Sequence, residues 1–153
     1  MCSGRERSEG EGFGYKLTVK TFLTTFFVIM STIEKTSAPA VPISKALVSN
    51  GFLFISGQIG SAGGELVTTS FEDEVKQVFA NIKTILDEHQ LTFGHIVSVN
   101  VYLTDMRYFD QLNAVYQTYF TDRFPTRTCL AVAGLPKQAR VELTTVAELK
   151  QHN

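Results

Sequence analysis

Apolar residues recur along this chain with two different periods, and each switch of period marks an element. In ALVSNGFLFISGQ, which starts at Ala46, two apolar stretches flank Asn50-Gly51. Both turn residues tolerate the positive φ of a type I′ turn, so the segment predicts a tight β-hairpin. Gly57 lets the chain depart or a ligand approach its backbone, and Gly60, Gly63 and Gly64 mark a flexible connection. Thr69 followed by Glu72 fits a capping box, and Phe71, Val75, Val78, Phe79, Ile82, Ile85 and Leu86 then recur at helical spacing through about His89. From Ile96 to Thr104 the period returns to two. Val97, Val99, Val101 and Leu103 project to one side of a strand, and Ser98, Asn100 and Tyr102 to the other. A second amphipathic helix is expected from about Tyr108 to Asp122, closed by Pro125. Two further strands come after it, over Arg127 to Ala133 and, beyond GLPKQ, over Arg140 to Leu149.

The predicted order is strand, strand, helix, strand, helix, strand, strand. This is an α+β domain in which a mixed sheet carries two helices on one face. No third helix is expected to cover the opposite face, so a second subunit is the natural cover.

Residues 1 to 32 differ in character from the rest of the chain and read as a non-core N-terminal extension, with an added surface strand or helix as the alternative. The apolar run FLTTFFVIM, Phe22 to Met30, is too short to cross a bilayer as a helix. Glu6, Glu9 and Glu11 stand where a secretory signal or a mitochondrial presequence is basic, although Arg5, Arg7, Lys16 and Lys20 keep a mitochondrial address open beside a cytoplasmic one. The folded domain is assigned to residues 33 to 150, and 151 to 153 form a tail.

Charge narrows the field of partners. Fourteen basic and 15 acidic residues leave a net charge of −1, which gives no strong field for nucleic acid or an anionic membrane. Cys2 and Cys129 form no CxxC pair, and His89, His95 and His152 have no metal-site spacing, so neither a metal nor a cofactor is expected. The glycines lack the spacing of a phosphate-binding loop.

Two charged positions stand out on the strands. Arg127 opens a strand in an otherwise apolar region, where a guanidinium is poor filler unless paired. Either an intrachain salt bridge or an anionic ligand would account for it. Glu142 lies on the polar side of the last strand, where a solvated or paired carboxylate is the ordinary outcome.

Several segments, taken in order, carry a family likeness. APAVPISKA at Ala38 to Ala46, SGQI at Ser56 to Ile59, VNVYLTDM at Val99 to Met106, LNAVYQTYF at Leu112 to Phe120 and FPTRTCLAVAGLPKQARVELTTVA at Phe124 to Ala147 resemble successive signatures of the RidA/YjgF family. The resemblance spans about residues 34 to 149. It implies a chorismate-mutase-like fold, assembly as a homotrimer with three clefts between subunits, and hydrolysis of 2-imino acids such as 2-iminobutanoate and 2-iminopropanoate to 2-keto acids and ammonia, without a cofactor.

The same resemblance assigns roles. Arg127 becomes the clamp on the substrate carboxylate, a task suited to a planar fork of donors. Glu142 is expected to orient water or assist proton transfer. Asn113 contributes across the subunit cleft, Gly57 borders the site with its backbone, and Cys129 lines or supports the pocket. One position departs from the pattern: Ile43, in Pro42-Ile43-Ser44, stands where the family usually has tyrosine, and isoleucine cannot replace a phenolic donor or acceptor. Tyr119 and Ser44 are candidates to compensate. The connection from the second helix to Phe124-Pro125 is also short for the family. A noncatalytic metabolite-binding module, a chaperone-like role and an endoribonuclease or translation inhibitor remain alternative functions.

Overall fold

The computed structural model describes residues 42–149, so the expected N-terminal extension and C-terminal tail lie outside the described residues. Strands β1 (Ala46–Ser49) and β2 (Phe52–Ile59) pair antiparallel around the anticipated turn. Asn50 and Gly51 there take φ of 48° and 82°, the left-handed conformations that this short connection demands. The glycine-rich segment after β2 is more ordered than its composition suggests. It forms a two-stranded ribbon of β3 (Ser61–Ala62) and β4 (Glu65–Leu66), turned by Gly63 and Gly64.

Helix α1 (Phe71–Glu88) carries the expected apolar face, with Val75, Val78, Phe79, Ile82 and Ile85 fully buried. Its cap differs from the Thr69–Glu72 box by one position. Ser70 is the N-cap, its Oγ accepting the Asp73 N–H at 3.0 Å, while the Thr69 hydroxyl donates to Asp73 Oδ2 at 3.0 Å. Ser and Thr are both competent caps, and the residue nearer the first helical turn takes the role.

Strand β5 (Ile96–Leu103) leads through a 3₁₀ turn at Met106–Tyr108 into α2 (Phe109–Tyr116). This helix is shorter than the 108–122 span that periodicity suggests. After Tyr116 the backbone tightens into i→i−3 bonds, Thr118 N–H to Val115 O and Tyr119 N–H to Tyr116 O. Aromatic packing accompanies the change: Tyr119 stacks on Phe79 at 4.1 Å between centroids, and Phe120 closes on Tyr116 at 4.6 Å. The chain then runs through β6 (Thr126–Ala131) and β7 (Val141–Glu148).

The five long strands form one sheet in the order β1-β2-β7-β5-β6, in which only β5 and β6 run parallel. Register sorts the side chains into two faces. Leu53, Ile55, Val99, Val101, Leu103, Val141, Leu143 and Ala147 are buried in the core with α1 and α2. The opposite face presents Leu47, Phe54 and Leu130, which are 61%, 45% and 53% exposed, along with Asn100, Tyr102, Glu142 and Thr144. Two helices on one face and an uncovered apolar sheet on the other is the arrangement that the alternation predicts. No helix among the described residues is long and apolar enough to cross a membrane.

Candidate functional site

The anticipated site residues fall into two groups, one on each face of the sheet. Arg127 belongs to β6, in register with Val99 of β5, and so projects to the helix side. Its guanidinium carbon lies 4.7 Å from the centroid of the Tyr116 ring and 5.5 Å from that of Phe109, an aromatic bed of the kind that holds a cation without neutralising it. Arg107, Arg123 and Arg140 each pair with a carboxylate, whereas no carboxylate among the described residues pairs with Arg127. Of the two readings that the sequence left open, the intrachain salt bridge is therefore not formed within the described domain.

A cleft of about 390 Å³ opens beside this guanidinium, lined by Asn113, Tyr116, Gln117, Phe124, Pro125 and Arg127. Asn113, expected to contribute across a subunit cleft, lines this cleft from the same chain as Arg127. Cys129, two residues along the same strand, is half-buried against the core. Burial pushes its thiol pKa up, with Arg127 opposing in part, so the neutral thiol is favoured and a supporting role fits better than a nucleophilic one.

Gly57 and Glu142 form the second group. Glu142 pairs with Ile59 on one side and Tyr102 on the other, on the face away from the helices. Between Ile55 and Gln58 the β2–β7 register shifts, and this irregularity brings the Gly57 backbone against the carboxylate. A Cβ at position 57 would lie 2.1 Å from Glu142 Oε1, so glycine lets the backbone touch the carboxylate where it stands. Burial raises the Glu142 pKa above its ordinary 4.5. A carboxylate held in this way is a stronger proton acceptor than a solvated one.

Ile43 precedes β1 and is 67% exposed. Neither residue considered as a substitute for the missing phenol lines the Arg127 cleft of its own chain. Tyr119 packs in the aromatic cluster with Phe79 and Phe93 and borders a separate cavity near Arg123 and Glu148. The Ser44 carbonyl accepts the Ser56 hydroxyl. The phenol beside Arg127 is Tyr116, whose hydroxyl is buried without a partner among the described residues. Its pKa is pushed up to about 12 by burial, against the opposing pull of Arg127. Helical spacing from Leu112 through Val115 to Tyr116 marks Tyr116 as part of the apolar face of α2, and the sequence assigns Phe109 and Phe124 no role at the site. Only Phe124, 64% exposed next to Pro125, carried a usable signal, as an aromatic in a polar turn.

Comparison with known proteins names the family. A family model described as Endoribonuclease L-PSP matches residues 33–149. A RutC family protein of Aquifex aeolicus is 44% identical over 117 residues, covering 74% of this chain and 93% of that protein. The 2-iminobutanoate/2-iminopropanoate deaminase of Mus musculus is 36% identical over 124 residues, covering 78% and 92%. Among solved structures, the crystal structure of yeast Mmf1 matches with a TM-score of 0.70 at 37% identity, covering 73% of this chain and 90% of that one; the protein is named as mitochondrial. Fold and site thus define a small α+β protein with a basic cleft on one sheet face and a carboxylate on the other. The chain belongs to the RidA/YjgF family.

Proposed function

We propose that this protein hydrolyses 2-imino acids of small amino acids, among them 2-iminobutanoate and 2-iminopropanoate, to 2-keto acids and ammonia, in a site shared between subunits of a homotrimer. One observation carries the reading. Arg127 stands in an open cleft with no carboxylate partner among the described residues, as a clamp awaiting an anionic ligand requires. The name of the mouse relative supplies the reaction class.

Arg127 would engage both oxygens of the substrate carboxylate, with Asn113 beside it. Glu142 would take a proton from water as its oxygen bonds to the imine carbon, forming a carbinolamine. Glu142 would then return its proton to the nitrogen and take up the hydroxyl proton as the C=O bond forms and the C–N bond breaks, releasing ammonia. Because Arg127 and Glu142 project from opposite faces of one sheet, they would meet only if one subunit contributes the clamp and its neighbour the carboxylate. The uncovered face bearing Leu47, Phe54 and Leu130 supports such an assembly. The chemistry suits a cytoplasmic scavenger of reactive imines, and the mitochondrial name of the yeast relative supports the other location.

The test generates 2-iminobutanoate with a coupled pyridoxal-phosphate enzyme and follows its decay in competition with semicarbazide. Acceleration by wild type supports the proposal. Keto-acid binding without acceleration would favour the noncatalytic module, a reading to which the exposed Ile43 in the usual tyrosine position lends support.

A further inference from the structure

Glu142 lies on the sheet face away from the helices, yet the segment that packs against its carboxylate is held from the helix side. Asn81, midway along α1, uses one amide nitrogen to reach two carbonyls, Ile59 O and Ser61 O, each at 3.0 Å. Its own oxygen accepts the Gln77 Nε2–H at 2.8 Å, which orients the amide with both donors toward those carbonyls. The residue between them is Gly60, where a Cβ would lie 2.5 Å from the Glu74 backbone oxygen, so this stretch of chain is seated directly on α1. Ile59 is the register partner of Glu142, and Gly57, at the shifted part of the strand, is the wall against the Glu142 carboxylate.

The strand that carries the carboxylate is fixed from the same helix. Buried Glu74 accepts the Arg140 backbone N–H at 2.7 Å and Arg140 Nε at 2.6 Å, which anchors the start of β7 two residues before Glu142. Helix α1 therefore grips β7, the strand that carries Glu142, through Glu74, and β2, one of its two neighbours, through Asn81.

We propose that Asn81 is a positioning residue for Glu142, acting through the Ile59 and Ser61 carbonyls to hold the irregular end of β2, and with it Gly57, against the carboxylate. The inference rests on the reading of Glu142 as the water-activating group. Without the amide donors the two carbonyls lose their tie to α1 and the 57–61 segment relaxes. The carboxylate then loses the wall that fixes its rotamer. The Arg127 clamp, carried by β6 at the far edge of the sheet, is untouched.

The two effects separate in steady-state kinetics of imine decay. Asn81→Ala should lower kcat roughly 10-fold while KM stays within about twofold, the signature of a misplaced reacting group beside an intact binding group. Asn81→Asp, which keeps the shape and removes the donors, should behave alike. Gln77→Ala, on the half-buried helix flank, should fold normally and lose about two- to threefold in kcat by releasing the orientation of the Asn81 amide. If Asn81→Ala fails to fold, Gln77→Ala and Asn81→Asp carry the test. Unchanged kcat in the folded variants, or a loss expressed in KM, would overturn the proposal. Glu142→Gln, assayed in parallel, separates the two ideas: if it keeps full activity the reading of Glu142 fails, and if it is impaired while the Asn81 variants are not, only the positioning role fails.

Discussion

Gly57 and Glu142 are packed so closely that a Cβ on the glycine would lie 2.1 Å from the carboxylate oxygen. The atom it meets is the end of a flexible side chain, so a methyl group there can be accommodated by swinging the carboxylate aside. Gly57→Ala is therefore expected to fold and melt close to wild type while losing roughly 10- to 100-fold in kcat, since a reacting group displaced by about 1 Å costs on that order. Thermal unfolding run beside imine-decay kinetics checks both halves. A large drop in Tm would show that the contact serves packing rather than placement.

Arg127 rests on the Tyr116 and Phe109 rings. Arg127→Ala should reduce kcat/KM by roughly 100-fold, the scale of a lost charge-assisted pair. Arg127→Lys should recover little of this, because a point charge lacks the planar two-oxygen geometry. The measurement is kcat/KM for 2-iminobutanoate, with each variant first confirmed to keep the oligomeric state of wild type.

The hairpin, the long helix and the alternation of the last three strands were legible because each is a local pattern. The Asn50-Gly51 turn, the apolar face from Phe71 to Leu86 and the inward Val99, Val101 and Leu103 of β5 stand where spacing puts them, whereas the β5–β7 register shift between Ile96 and Ser98 buries Ile96 in place of the expected Val97. The length of α2 was not, because its end is set by aromatic contacts of Tyr119 and Phe120 with Phe79, a residue distant in sequence. The candidate site was legible as a set of residues through family resemblance. Its division between the two sheet faces was not, since it depends on which face of β5 each neighbouring strand shares: Val99 with Arg127, Tyr102 with Glu142. Tyr116 was hidden for a related reason, because a tyrosine at helical spacing reads as core until Arg127 is seen above its ring.

Burial raises the Glu142 pKa above 4.5. A base must be ionised to act, so the acidic limb of kcat/KM is expected above the ordinary glutamate range and should vanish in Glu142→Gln. The stability consequence has the opposite direction to that of a salt-bridged carboxylate. Between 4.5 and the raised folded value the native state binds more protons than the unfolded chain, so this group's contribution to stability falls as pH rises through that window. Chemical denaturation across that range should show Glu142→Gln gaining stability relative to wild type on the alkaline side.

Phe54 and its register partner Leu47 lie exposed on the uncovered sheet face. A carboxylate placed there would be buried without a partner in any assembly that uses this surface, at a cost of several kcal/mol per ion. If the proposed trimer uses this face, Phe54→Asp is expected to leave folded monomers by sedimentation, with loss of the proposed imine hydrolysis. A trimer that survives the substitution would locate the subunit contact elsewhere.

The clamp and the water-activating carboxylate of one site are expected to come from different chains, and mixing two inactive variants tests this most directly. Arg127→Ala and Glu142→Gln proteins are unfolded together at equal concentration, refolded and assayed for 2-iminobutanoate decay against each variant treated alone. In randomly assembled trimers, roughly one site in four would join an intact Arg127 from one subunit to an intact Glu142 from its neighbour, so the mixture should regain about a quarter of wild-type activity. A mixture no more active than its separate components, from a refolded wild type that is fully active, would contradict a site shared between subunits.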